Sequence, residues 1–211
     1  TERVKELCGV EVRIIPGEEE ARLSYLAILS GMPVPDGDLV IFDTGGGSTE
    51  FIFGRGKELK NRFSVNLGAI RITEKFFSDD PVREGSVEAA LKEIGEEFGA
   101  AGVAGHPVKL VGMGGTVTSM GAVKHKMVRY NPDIIQGSIL TRADIAEQIE
   151  AYRERTIEQR REIPGLQPKR AEVILAGACI LKDITERLGA DQLTISDRGL
   201  RHGLAFDLFS K

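Results

Sequence analysis

Asp43-Thr44-Gly45-Gly46-Gly47-Ser48-Thr49-Glu50 sets three consecutive glycines between two carboxylates. The residues before it, 39–43, are a short apolar run closed by an acid, which reads as a buried strand. Residues 49–54 and 59–65 read as two more strands, joined by a hairpin turn at Arg55-Gly56-Lys57. Residues 38–65 therefore predict a three-strand antiparallel meander with the glycines in its first turn. Glycine lets the backbone turn sharply and approach a ligand closely. Successive free N–H groups in such a turn form an anion-binding nest. Ser48 and Thr49 add hydroxyls. Asp43 and Glu50, at either end, are positioned to hold a divalent cation or a water beside a phosphate. The alternative, a flexible glycine hairpin, does not call for two flanking acids.

Outward from this loop, residues 12–15 read as a short strand ending at Pro16-Gly17, and 18–31 as a helix opened by three glutamates that suit its dipole. Pro33, Pro35 and Gly37 make a turn. A short helix is expected over 68–77. Val87, Leu91, Ile94 and Phe98 form an amphipathic helical stripe. Residues 108–111 read as a strand, followed by Gly112, Gly114, Gly115 and a helix over 116–123. Thr141 with Asp144 predicts a capping box at the start of a further helix. Residues 171–181 are apolar on a broad face and predict a mostly buried helix containing Cys179. Residues 192–195 read as a strand, and 199–209 as a last helix on which Leu200, Leu204 and Leu208 align. The expected class is α/β: a mixed five-stranded sheet with helices on both faces.

The 211 residues carry 28 basic and 32 acidic side chains, a net charge of -4, which argues against a general nucleic-acid or anionic-membrane surface. Aromatics at 6%, with no Trp, weigh against stacking platforms for single strands. The longest apolar run, 173–181, is too short to span a bilayer. No nucleic acid and no membrane are therefore expected as partners. Cys8 and Cys179 make neither a disulfide framework nor a metal spacing, so a reducing cytoplasm is expected. The chain opens on Thr1 without a signal-peptide pattern, as expected of a piece of something longer.

Two further stretches bear on chemistry. Gly112-Met113-Gly114-Gly115-Thr116-Val117-Thr118 follows a strand and opens a helix, where unpaired N–H groups bind anions. Close helix–strand packing explains the same glycines. Pro16-Gly17-Glu18-Glu19-Glu20-Ala21-Arg22 reads on spacing as an acidic helix start. His106, His125 and His202 show no metal spacing. Gly199 and Gly203 suit close helix packing. Arg153, Arg155, Arg160, Arg161, Lys169 and Arg170, interleaved with glutamates, read as a solvated mixed-charge face, with a cationic track for a polyanion as the alternative.

PGEEEARL (16–23), DTGGGSTE (43–50), LGAIRIT (67–73), GGTVT (114–118), RAEVILAGACIL (170–181) and SDRGLRHGL (196–204) occur in this order. Together they resemble the exopolyphosphatase and guanosine pentaphosphate phosphohydrolase (Ppx/GppA) family of the actin-like ATPase superfamily. The resemblance covers nearly the whole chain. It implies an RNase H-like second lobe over 32–211, an inter-lobe segment over 1–31 carrying Glu20, and a missing first lobe. It implies hydrolysis of a terminal phosphoanhydride of polyphosphate or guanosine pentaphosphate with Mg²⁺. Position by position, Glu20 matches the catalytic base, and Asp43 and Glu50 match acids that position metal and water. Gly45, Gly46, Gly47 and Ser48 match the phosphate loop, Gly114, Gly115 and Thr116 the second loop, and Arg170 a basic position near the phosphate chain. A homodimer is a further expectation. An ATP-using kinase or ATPase of the superfamily, or a non-catalytic phosphate-binding module, is the alternative.

Overall fold

The computed structural model describes residues 2–12, 14–33, 36–107 and 109–210. In chain order the elements are α1 (Glu2–Cys8), α2 (Gly17–Gly31), β1 (Asp38–Thr44), β2 (Thr49–Arg55), β3 (Glu58–Val65), α3 (Ala69–Phe76), α4 (Ser86–Ala100), β4 (Lys109–Met113) and α5 (Gly115–Lys124). There follow α6 (Pro132–Ile135), β5 (Ile139–Thr141), α7 (Arg142–Arg153), α8 (Ile157–Arg161), a 3-10 turn over Pro168–Arg170, α9 (Ile174–Arg187), β6 (Gln192–Ser196) and α10 (Leu200–Phe209).

One sheet has the order β3-β2-β1-β4-β6-β5. β1, β2 and β3 form the antiparallel meander expected from 38–65. β4 and β6 continue the sheet parallel to β1, and β5 closes it antiparallel to β6. Among the described residues the sheet thus has six strands rather than the expected five. The extra one, β5, is three residues long and ends at the Thr141 cap, too short to show an alternation of its own. The strand expected over 12–15 is absent at Val12, Ile14 and Ile15, while Arg13 lies outside the described residues. Val12 and Ile14 are 42% and 82% exposed, so β-branched side chains alone do not make a strand where no sheet edge accepts one. Val108 and Pro35, expected in a strand and a turn, also lie outside the described residues.

Strand alternation sorts β1 onto two cores. Val40 and Phe42 join the larger core, beneath α3, α4, α5, α7 and α9. Leu39 and Ile41 join a smaller core with Ala21, Tyr25 and Ile28 of α2 and Val111 and Met113 of β4. Helices therefore cover both sheet faces. Each fully buried aliphatic or aromatic side chain contributes about 1.5–3 kcal/mol. The stripe on α4 buries Val87, Ile94 and Phe98. α9 is buried along most of its length, Cys179 included. The Thr141 capping box is present: Asp144 N–H donates to Thr141 Oγ1 at 3.1 Å, and Thr141 N–H donates to Asp144 Oδ2 at 2.8 Å.

On the last helix the close packing expected of Gly203 is present, and the aligned leucines do not form the buried face. Leu204 and Leu208 are exposed, and Gly203 is the buried residue of α10. A Cβ at Gly203 would lie 1.8 Å from the carbonyl oxygen of Leu23, so α10 lies directly on the backbone of α2. Leu204 and Leu208 mark the outer face of that helix pair, while Leu200 is half-buried.

Candidate functional site

β1, β4 and β6 run parallel and end level: Asp43 is the Cα partner of Met113, and Met113 of Ser196. Just past this line stand the Gly45–Ser48 turn, Gly114 and Asp197. The N-terminal half of α2 faces the same edge. Two hollows open there. One, of about 210 Å³, is lined by Glu20, Ser24, Asp43, Glu50, Arg62 and Ser64 among others. The second, of about 400 Å³, shares Glu20, Ser24, Asp43 and Met113 and extends past Gly114, Gly115 and Thr118 to Asp197, Arg198 and the start of α10. Glu20 and Asp43 thus stand where the two hollows meet.

The three glutamates of α2 have separate surroundings. Glu19 pairs with Arg22, which also reaches Asp207 of α10. Glu18 lies 3.8 Å from Arg62. Glu20 lines both hollows.

Asp43 and Glu50 are direct partners across β1 and β2. Glu50 Oε1 accepts from Ser48 Oγ at 2.6 Å and from Ser64 Oγ at 3.0 Å, which ties β3 to the glycine turn. The Ser48 proton is therefore donated to Glu50, leaving its oxygen lone pairs for other work. Asp43 is surrounded differently. Burial pushes its carboxyl up to about 6, Glu50 and then Glu20 add to the rise, and Arg170 opposes it. The four charged groups singled out in the sequence thus act on one another at one carboxylate.

The glycine turn does not work by positive φ, since Gly45, Gly46 and Gly47 all avoid that region. Close approach is what it needs. A Cβ on Gly46 would lie 2.6 Å from Ile70 Cδ1, and one on Gly68 would lie 2.5 Å from the Gly46 carbonyl. The first amides of α3 donate to this turn, Ala69 to Gly45 O and Ile70 to Gly46 O, both at 2.9 Å. The carbonyls of Gly45, Gly46 and Ser48 accept from backbone amides, whereas the amides of Gly46 and Gly47 have no acceptor among the described residues.

The second loop is built against the first. Gly114 has φ +83, and a Cβ there would meet Asp43 Oδ1 at 2.0 Å. A Cβ on Gly115 would meet Arg170 Nη2 at 1.8 Å. Glycine at both positions lets a carboxylate and a guanidinium rest on the start of α5. Thr116 differs from the expectation for its side chain. It is buried, its hydroxyl points to Thr44 O at 3.4 Å, and its methyl packs at Gly177. Thr118, two residues on along α5, lines the hollow instead.

Sequence reasoning missed Ser64, Asp197 and Arg201. Ser64 lies on an unremarkable exposed strand position. Asp197 accepts a hydrogen bond from Tyr130 Oη, and Arg201 lies in the first turn of α10. Only their place in SDRGLRHGL singled the latter two out.

The Ppx/GppA phosphatase family model matches residues 1–211. Exopolyphosphatase 2 of Mycobacterium tuberculosis is 31% identical over 210 residues, covering 96% of this chain and 65% of the relative. The bifunctional 3-dehydroquinate synthase/phosphatase of Fusobacterium nucleatum is 33% identical over 199 residues, 89% of this chain and 29% of the relative. The crystal structure of the Aquifex aeolicus Ppx/GppA family member superposes with a TM-score of 0.89 at 34% identity, over 98% of this chain and 67% of that one. The chain therefore spans less than two thirds of the length of either curated relative.

Proposed function

Because the chain belongs to the Ppx/GppA phosphatase family, we propose that it supplies one wall of a site hydrolysing the terminal phosphoanhydride of inorganic polyphosphate or guanosine pentaphosphate. The observation that carries this is the meeting of Glu20, Asp43, Glu50 and Arg170 beside two glycine loops at one sheet edge. In this reading Glu20 accepts a proton from a water whose oxygen attacks the terminal phosphorus. The bridging P–O bond breaks, and the shortened chain leaves with the bridging oxygen. The free amides of the glycine turn, the start of α5 and Arg170 stabilise charge on the transferred phosphoryl. Ser48 and Ser64 hold Glu50 in place beside it.

Mg²⁺ belongs to the proposal. Among the described residues no three metal-ligating side chains form a ready cage. Mg²⁺ does not need one, since it keeps several waters and uses one or two carboxylates together with substrate phosphates. Asp43 fits that mode. Its carboxylate is desolvated, faces two other acids, and has no hydrogen-bond donor among the described residues, so a cation would offset a real excess of charge. Asp43 and Glu50 would hold the ion, which would neutralise charge on the phosphates.

A first lobe, as the family resemblance implies, would close the site from the other side. A reducing compartment is also part of the proposal and suits two free cysteines. No helix among the described residues is long and apolar enough to cross a membrane.

The test is steady-state phosphate release from polyphosphate and from guanosine pentaphosphate, on this chain alone and joined to a first lobe. Glu20→Gln is expected to lower turnover by roughly 10²–10⁴-fold, the usual range for a general base. Glu18→Gln, beside Arg62, is expected to do far less. Near wild-type turnover in Glu20→Gln, with Glu50→Gln inactive, would move the base to Glu50.

A further inference from the structure

Arg160 of α8 is 1% exposed and heads the fully buried side chains by volume. The neighbouring arginines behave otherwise: Arg153 pairs with Glu150 and Arg161 with Glu158 at the surface, as expected of a mixed-charge face. The Arg160 guanidinium is held by main-chain carbonyls. Its Nε donates to Tyr152 O at 2.7 Å and its Nη1 to Ala171 O at 3.4 Å, while Nη2 has no partner among the described residues. Asp80 and Tyr152 are the titratable groups that bear on it, and Asp80 accepts from the Ile157 amide at the start of α8.

Burying a guanidinium without a carboxylate partner is costly, and an apolar side chain of similar volume would pack there without that cost. Stability alone does not account for an arginine at this position. A planar fork of donors can do what an apolar side chain cannot, which is to bind two carbonyls from different segments. Tyr152 belongs to the last turn of α7, and Ala171 directly follows Arg170. The intervening chain contains Pro164, Gly165 and Pro168, and Gly165 sits tightly on the Ala122 carbonyl at the far end of α5. Arg160 therefore fixes the end of this segment relative to the helices. From that end Arg170 reaches Gly115.

We infer that Arg160 is a positioning residue: by holding the Ala171 carbonyl it sets the backbone from which Arg170 meets the phosphate chain. This rests on the phosphate-binding reading of the site. The experiment is a double-mutant cycle on the 211-residue chain, with tripolyphosphate binding measured by titration calorimetry and folding by circular dichroism. Arg170→Ala is expected to lower affinity about tenfold or more, the usual effect of losing a charge-assisted hydrogen bond. Arg160→Met should lower it by a similar factor in the wild-type background. In the Arg170→Ala background it should cost less than about twofold, the margin within which independent effects add. Arg160→Lys should recover part of the loss, and it replaces Arg160→Met in the cycle if the latter does not fold. Unchanged affinity in a folded Arg160 variant, or the same loss in both backgrounds, overturns the inference. Unchanged affinity in Arg170→Ala marks the phosphate reading of Arg170 as the step that failed, and the inference falls with it.

Discussion

Replacing Asp43 by asparagine removes the most strained charge of the site without changing its shape. The Asp43 carboxyl sits at about 6 in the folded chain against 3.8 unfolded. That gap of roughly two units, at 1.36 kcal/mol each, sets an upper bound of about 3 kcal/mol on the cost of keeping Asp43 ionised in the native state. The sign follows from a folded value above the unfolded one. Below about pH 4 both states hold the proton and there is no cost; the cost grows between pH 4 and 6 and is fully present above it. The Asp43→Asn variant carries an amide that never ionises, and so escapes it. Urea unfolding of both proteins from pH 4 to 8, without Mg²⁺, is therefore expected to show similar stabilities at the acid end. The variant should be more stable by about 1–3 kcal/mol at pH 7.5. Added Mg²⁺ should narrow the difference by stabilising only the aspartate form. A gap independent of pH, or a variant less stable at pH 7.5, would refute the account of Asp43 as a desolvated carboxylate crowded by Glu50 and Glu20.

Two other expectations follow from close approach. Gly203→Val should destabilise the fold by about 3 kcal/mol or more, because its Cβ would collide with the Leu23 carbonyl, which is backbone and cannot swing aside; chemical unfolding measures this. Gly115→Ala should leave the melting temperature within a few degrees, since the obstructing atoms belong to the flexible Arg170 side chain, yet reduce tripolyphosphate affinity about tenfold. A collapse in melting temperature there would make the Arg170–Gly115 contact structural.

Much of the fold was legible where local signals agree with the tertiary environment. The meander over 38–65 announced itself by short β-rich runs and a hairpin glycine, and the Thr141 cap by its Asp144 partner. Two signals misled. Residues 12–15 have the composition of a strand, but pairing is a property of two strands, and Val12, Ile14 and Ile15 join no strand among the described residues. Leu200, Leu204 and Leu208 form a stripe, but the backbone contact at Gly203 decides which face of α10 is buried. Within the site, the sequence could point to acids and glycines but not to their mutual arrangement. The i,i+3 pairing of Glu19 with Arg22 is local, but what separates Glu20 from Glu18 is Arg62, remote in the chain, and Asp207 of α10 completes the Arg22 pairing. Thr116 and Thr118 are equally plausible in a string of letters, and the turn of α5 sends one inward and the other to the hollow. The burial of Arg160 among exposed arginines likewise has no local signature.

The level line from Asp43 through Met113 to Ser196 works as a ruler. Its divisions are the spacing between hydrogen-bonded strands, about 4.8 Å, and no side chain sets them. Exchanging the residue that follows any of these strands changes what that division presents while leaving where it stands untouched. Inserting a residue within β4 would instead slide one division by about 3.3 Å and turn its side chains to the opposite face. The site should therefore absorb substitutions at its rim far more readily than single-residue insertions in the strands beneath it, and its chemistry can be retuned one mark at a time.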